Sequence, residues 1–460
     1  MRRFSFSMAI IIVFIYFSSA MASAVSFVPP VTVYSEAVYM VNLDITDENG
    51  YGAVVFKQNE NKLMSPASLT KIMTALLVLE HFGGDETALK STYISAPSTA
   101  FDELYQQNAS TADFRIGEEA SYSDLLYGLM LQSACEAANI IAYNLGANNS
   151  MADFVKQMNE KALELGATNT HFTNAHGLYS EAQRTSARDM AIITHYAINK
   201  YPILLEITSN STYSLEATNK HSSPRTIVNT NYMMSPSNGG ELYYYPYVKG
   251  IKTGTLNEAG RCLITTAEKN GFRYLLVTLN APLKDENGSN KFYNFIDHKT
   301  LYEWAFSKLS YQTIIEVGEE IAEVGVEYGD EKSHVLLKAS LEYSCLWSSD
   351  AKFEEIQRVI TKEDSVIAPV EKGVEMGTLE LRYRGETIAT IPLITVSAVE
   401  RDEFKYKLTV AKRFPKSSMF KRAGYITFGI IFLYTALFIA FATKRTAKRR
   451  RRPSPSKRIR

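Results

Sequence analysis

Ser68 and Lys71 stand three positions apart near the start of the segment MSPASLTKIMTALLVLE, residues 64–80. On a helix that spacing puts a hydroxyl and an amine on one side, one turn apart. A serine hydroxyl is a poor nucleophile at neutral pH and needs a base, and a lysine can be that base only if burial or a second cation lowers its pKa. The chemistry implied is a nucleophile with its base, and it predicts a second lysine. The spacing itself is common, recurring at Ser349 and Lys352, Ser418 and Lys421, and Ser454 and Lys457. Context has to select among the four.

Lys252-Thr253-Gly254 occurs once in the chain, on an expected strand within YVKGIKTGTL that is followed by another, YLLVTL. Its glycine permits close backbone approach, its threonine offers a hydroxyl to a carboxylate and its lysine adds charge. Alone, the tripeptide reads as a surface strand edge. Between the two segments lies YSDLLYGLMLQSACEAANIIAYNLG, an apolar helix broken at Gln132-Ser133-Ala134 and restarting with Glu136. Ser133 is there either a helix cap or a hydroxyl presented to a cleft.

The elements that must position these residues follow from local chemistry. AVYMVNLDI and YGAVVFKQN read as a hairpin around DENG. Pro66 suits a first helical turn, with Ser65 as its cap, and the helix should run through IMTALLVLEHF to Gly83 and Gly84. That sets Ser68 at the positive end of the helix dipole. Residues 30–308 mix long helical patterns with short strands. Beyond 311, HVLLKASLEY, TLELRYRGETIATIPLITVSAV and FKYKLTVA are short and β-branched, which predicts a small all-β domain over 311–412.

The chain begins with two arginines, an apolar run and small residues at Ala20, Ala22 and Ala24, the pattern of a secretory signal over 1–24. Residues 423–443 carry no charge over 21 positions, enough for a transmembrane helix. The basic tail 444–460 then holds ten Lys and Arg, which favours its retention in the cytoplasm. The expectation is a single-pass protein of the cell membrane with its large body on the extracytoplasmic side. The formal charge of zero hides this division, because the body keeps all 49 acidic residues against 37 basic ones, a net of −12. An exported acidic body argues against nucleic acid as a partner. Three cysteines are too few for a disulfide framework, and the seven histidines show no ligand spacing, so neither metal nor cofactor is expected.

SPASLTKIMTALL, LLYGLMLQSACEAANIIA, HGLYSEAQRTSARDMA and VKGIKTGTLNEAG, in this order, resemble the low-molecular-weight penicillin-binding proteins, the serine D-alanyl-D-alanine carboxypeptidases. The resemblance covers nearly the whole chain. It implies an α+β fold of β-lactamase/transpeptidase type, an antiparallel sheet with flanking helices and an all-helical subdomain, then the β domain and membrane helix. It also implies removal of the terminal D-alanine from peptidoglycan stem peptides ending in D-Ala-D-Ala, with β-lactam antibiotics as trapping inhibitors. Ser68 would be the nucleophile and Lys71 its base, and Ser133 would relay a proton to the leaving amine. Lys252 and Thr253 would hold the substrate carboxylate, beside Gly254. The backbone N–H groups of Ser68 and Thr255 would form the oxyanion hole.

Two departures stand against that pattern. The family's second motif is usually Ser-x-Asn, whereas Ser133 is followed here by Ala134 and Cys135, and a thiol is a weak hydrogen-bonding group. Asn139, one turn on, is not expected to reach the same spot. An arginine that aids carboxylate binding in the family is replaced by Lys284 in the loop APLKDENGSN, either a stand-in or a solvated loop residue. Cys262 and Cys345 read as small buried residues, His176 as structural, and Arg188 with Asp189 as a stabilising pair. Two other readings remain: a β-lactamase, though the E-x-x-L-N loop is missing, and a cell-wall sensor or scaffold weakened by Cys135.

Overall fold

The computed structural model describes residues 25–46, 50–105, 107 and 109–450. The expected signal over 1–24 and the end of the basic tail lie outside the described residues. The described chain forms two compact units. One runs to Val317 and includes Leu341–Val359 and Glu380–Ile391; the other comprises Gly318–Ser340, Ile360–Leu379 and the chain from Pro392 on.

In the first unit β1 (Ala37–Thr46) and β2 (Gly52–Gln58) pair antiparallel, as the hairpin reading expects. A 3-10 turn, Ala67–Thr70, leads directly into α1 (Lys71–His81). A helical layer follows, with α2 (Glu86–Ser91), α3 (Tyr122–Leu131), α4 (Cys135–Leu145), α5 (Met151–Glu164), α6 (Ala187–Lys200) and α7 (Ile203–Thr208). Two short antiparallel ladders accompany it, β3 (Tyr93–Ser95) with β4 (Glu119–Ser121) and β5 (Thr212–Leu215) with β6 (Arg225–Val228). Then come α8 (Pro236–Tyr243), β7 (Val248–Leu256), β8 (Gly260–Lys269), β9 (Phe272–Ala281) and α9 (Tyr293–Lys308). The main sheet has the order β2-β1-β9-β8-β7.

Three of the helices start alike. Ser121, Ser150 and Ser186 each accept a hydrogen bond from the backbone N–H of an aspartate three residues on, Asp124, Asp153 and Asp189. Each cap is worth about 1 kcal/mol. Asp189 therefore belongs to a helix start; its carboxylate also accepts from Asn169 N and Thr170 Oγ1. It does not pair with Arg188, whose backbone N–H bonds Glu60 O, so the expected pair is a cap instead.

β9 reads as an unbroken apolar run because both its faces are covered. Leu275, Val277 and Leu279 join the core shared with α1 and α6. On the opposite face Thr278 Oγ1 meets His298 Nε2 of α9 at 3.0 Å and Tyr274 packs edge-on to Phe306.

The chain beyond α9 is strand-rich as expected, with β10 (Leu309–Ile315), β11 (Glu320–Glu327), β12 (His334–Ala339), β13 (Tyr343–Ser348), β14 (Gln357–Lys362), β15 (Ser365–Ile367), β16 (Glu375–Tyr383) and β17 (Glu386–Thr395). FKYKLTVA departs from the expectation. It lies in α10 (Glu403–Arg413), started by Asp402, whose side chain accepts from Lys405 N at 2.8 Å. The β-branched Thr409 and Val410 suggest a strand, but the cap and the one-turn spacing of Phe404 and Leu408 favour a helix. α11 (Ser418–Arg450) follows, and its Ser418–Arg445 portion is long and apolar enough to cross a membrane.

Candidate active site

Ser68 sits in the 3-10 turn before α1, not in the α-helix itself, and Lys71 is the first residue of α1. Ser65 makes no cap, and Pro66 occupies the N-cap position of the turn. Ala67 adopts φ of +47°, a left-handed conformation that a side chain disfavours. It is held there from two sides. A Cβ on Gly177 would come 2.0 Å from Ala67 O, and one on Gly254 would lie 3.1 Å from Ala67 Cβ and 3.3 Å from Ser68 N. Gly254, expected to admit a ligand, thus also admits the turn that carries Ser68.

Lys71 is fully buried. Its Nζ donates to Ser68 Oγ at 3.2 Å, to His176 O at 2.5 Å and toward Cys135 Sγ at 3.5 Å. His176 therefore matters through its backbone carbonyl. Its ring is fixed separately: Nδ1 accepts from Leu178 N and Nε2 lies 2.8 Å from Glu103 Oε1. Burial holds the imidazole below its ordinary pKa, so it is neutral with the proton on Nε2, donating to Glu103. That hydrogen bond in turn holds the Glu103 carboxyl below the usual range.

Ser133 lies at the break between α3 and α4 with φ of +62°, and its buried Oγ has no hydrogen-bond partner among the described residues. Asn139 is committed elsewhere, donating to Ala100 O and Glu103 Oε1, as its distance along the helix implied. Lys252 is 1% exposed and its Nζ donates to Thr253 O at 3.1 Å. Burial first, and then the charge on Lys71, push its pKa well below the ordinary lysine value. The second lysine required by the sequence argument is present, and the lowered pKa is that of Lys252.

A cavity of about 210 Å³ is lined by Ser68, Ser133, Thr253, Gly254 and Thr255. Lys71, Lys252 and Cys135 are buried behind it. Among the described residues the four segments identified in the sequence thus meet at one place. A larger cavity of about 390 Å³, lined by Lys62, Ser65, Glu181 and Glu258 among others, contains none of the expected site residues. Lys284 does not line the cleft and sits in an isolated bridge with Asn290. Arg261, which the sequence reading passed over, does line it. The signal was available: the β7–β8 turn fixes a register in which Thr255 faces Arg261.

Comparison with known proteins identifies the family. A family profile described as D-alanyl-D-alanine carboxypeptidase matches residues 37–283, and one described as the C-terminal domain of penicillin-binding protein 5 matches 309–401. The chain is 30% identical over 380 residues to the D-alanyl-D-alanine carboxypeptidase DacF of Bacillus subtilis, covering 82% of this chain and 90% of the relative. The crystal structure of DacD from Francisella tularensis shares the fold at a TM-score of 0.60 and 19% identity, covering 84% of this chain and all of that one. A Streptomyces DD-transpeptidase superposes at 0.51 with 26% identity, over 61% of this chain and all of that one. With the matched profile spanning more than half its length and the relative aligned almost end to end, this chain belongs to the serine-type D-alanyl-D-alanine carboxypeptidase family.

Proposed function

We propose that the chain removes the terminal D-alanine from peptidoglycan stem peptides through an acyl-enzyme on Ser68, while held at the membrane by α11. The observation that carries the reading is the contact of Lys71 Nζ with Ser68 Oγ at 3.2 Å, in a site where burial and the Lys71 charge hold a second buried lysine, Lys252, well below the ordinary lysine pKa. Lys71 is the amine that faces Ser68 and is placed to take its proton.

Ser68 Oγ attacks the carbonyl carbon of the penultimate D-alanine as Lys71 takes its proton. The backbone N–H groups of Ser68 and Thr255 receive the oxyanion, a contribution of ~10² to 10³ in rate per donor. The Ser133 hydroxyl, buried and uncommitted, passes a proton to the departing D-alanine amine. Water then hydrolyses the ester. β-lactams acylate the same serine and leave slowly. The apolar helix Ser418–Arg445 spans the membrane once, with the basic tail in the cytoplasm and the catalytic unit outside.

Mass spectrometry of the penicillin-treated full chain is expected to locate one adduct on Ser68, and Ser68→Ala to lose both the adduct and D-alanine release from a pentapeptide. An adduct on another residue, or release that persists in Ser68→Ala, would sink the proposal.

A further inference from the structure

Among the described residues Lys71 Nζ has one strong acceptor besides the serine it must activate. That acceptor is His176 O at 2.5 Å, because the group at position 135 is a sulfur at 3.5 Å, and a thiol accepts weakly. The direction of the base therefore depends on how firmly one backbone carbonyl is held. The peptide joining His176 to Gly177 is not stiff by itself, since Gly177, at φ of +84°, has no Cβ to restrict it.

Contacts around the peptide supply the stiffness. Gly177 N donates to Asn174 Oδ1 at 2.6 Å and Leu178 N to His176 Nδ1 at 3.1 Å, both inside the same loop. His176 Nε2, meeting Glu103 Oε1 at 2.8 Å, reaches across to a separate segment. Glu103 lies in none of the motifs, and it extends from the surface to a buried ring. Its own place is built. Asn139 Nδ2 donates to Glu103 Oε1 and to Ala100 O, both at 3.0 Å, and Cys135 N donates to Ser110 O at 2.8 Å. The segment 100–110 is thus pinned to α4 at both ends, with the Glu103 carboxylate against His176 Nε2. The ring is held neutral by burial and the carboxyl is kept ionised by the ring, and a hydrogen bond to an ionised acceptor is of the stronger kind.

We infer that Glu103 is a positioning residue for Lys71: through the His176 ring it fixes the carbonyl that orients the base, a part that Cys135 plays only weakly. The inference rests on the acyl-transfer reading and adds to it a residue outside the motifs. Glu103 acts on the base by way of a ring and a peptide plane, so its influence should depend on what else holds Lys71.

The test is a double-mutant cycle on the full-length protein, read as the second-order rate of labelling by a fluorescent penicillin, with thermal midpoints alongside. In the wild-type background Glu103→Ala should slow labelling on the order of tenfold, since the carbonyl is no longer clamped. In a Cys135→Asn background the amide oxygen supplies a second strong acceptor, and the same substitution should cost less than about threefold. Glu103→Gln, whose amide oxygen still accepts from His176 and Asn139, should regain most of the rate lost in Glu103→Ala. A merely structural role for Glu103 gives equal losses in the two backgrounds. Equal losses, or a folded Glu103→Ala protein that labels as the wild type does, overturn the inference. If Glu103→Ala does not fold, Glu103→Asp, one methylene short of the ring, carries the same comparison. Ser68→Ala separates the two readings: labelling that persists there sinks the acyl-transfer reading, whereas labelling lost there together with equal losses in the cycle sinks the role of Glu103 alone.

Discussion

Cys135→Asn is the sharpest perturbation of the proposed base. Lys71 Nζ has three neighbours able to accept a hydrogen bond, Ser68 Oγ, His176 O and Cys135 Sγ. When the amine is neutral it has two N–H bonds and one lone pair. The lone pair can face Ser68 only if the two N–H groups go to His176 and Cys135. At 3.5 Å the sulfur is the weaker of these partners. As Lys71 takes the serine proton it becomes cationic, and the acceptor at 135 then contributes most. An amide oxygen accepting from an ammonium is worth ~1.5–3 kcal/mol, and a sulfur contact roughly 0.5–1. The difference of ~1–2 kcal/mol corresponds to acylation about 5- to 30-fold faster. The assay is the second-order rate of labelling by a fluorescent penicillin, with thermal midpoints recorded to show that the variant folds. Cys135→Ala should slow labelling by less than about tenfold, since His176 O remains. A folded Cys135→Asn protein that labels at the wild-type rate or more slowly would refute the lone-pair argument.

Lys252→Met should raise stability while lowering D-alanine release. The folded pKa of Lys252 lies below its unfolded value of about 10.4, so between the two the unfolded chain binds a proton that the folded chain does not. Stability therefore falls as pH drops through that window, and the methionine variant should gain most at the acid side, by ~1–4 kcal/mol. Thermal midpoints against pH check this; a midpoint that falls at every pH contradicts it. Gly177→Ala should lose folded protein altogether, because φ is +84° and its new Cβ would sit 2.0 Å from Ala67 O. A stable, active Gly177→Ala enzyme would show that the 3-10 turn is not clamped. A chain of residues 25–413 should release D-alanine from soluble peptides as the full chain does but leave the membrane fraction, and its retention with membranes would place the anchor elsewhere.

What could be read from sequence was whatever depends on neighbours along the chain. The β1–β2 hairpin, the break before α4 and the strand carrying Lys252 are local patterns, and their composition predicts them. The 3-10 turn at Ser68 was not legible, because it exists by virtue of Gly177, more than a hundred residues away. The His176 carbonyl was invisible for another reason: a backbone acceptor leaves no mark on residue type. α10 was misread because Thr409 and Val410 weigh toward a strand when counted singly, while the Asp402 cap outweighs them in the folded chain. Arg261 reaches the cleft only through the β7–β8 register, whereas Lys284, in the loop after β9, lies outside it.

The features that make this cleft chemically capable are each unfavourable for folding. Ala67 and Ser133 hold left-handed backbones without being glycine, and among the described residues the Ser133 hydroxyl is buried unpaired and Lys252 is buried without an acid. Such sites persist only where the surroundings over-determine them. Around Ser133 the means are visible. Cys135 N donates to Ser110 O at 2.8 Å, and Glu136 Oε1 accepts from Thr111 Oγ1 and Ala112 N at 2.6 and 2.7 Å. The segment 110–112 is thus tied to the start of α4 on both sides of the corner. Burial raises the Glu136 pKa, which marks it as a buried tether and not an exposed surface acid. Among the described residues nothing holds the Ser133 hydroxyl itself, and that freedom suits the proton relay proposed for it.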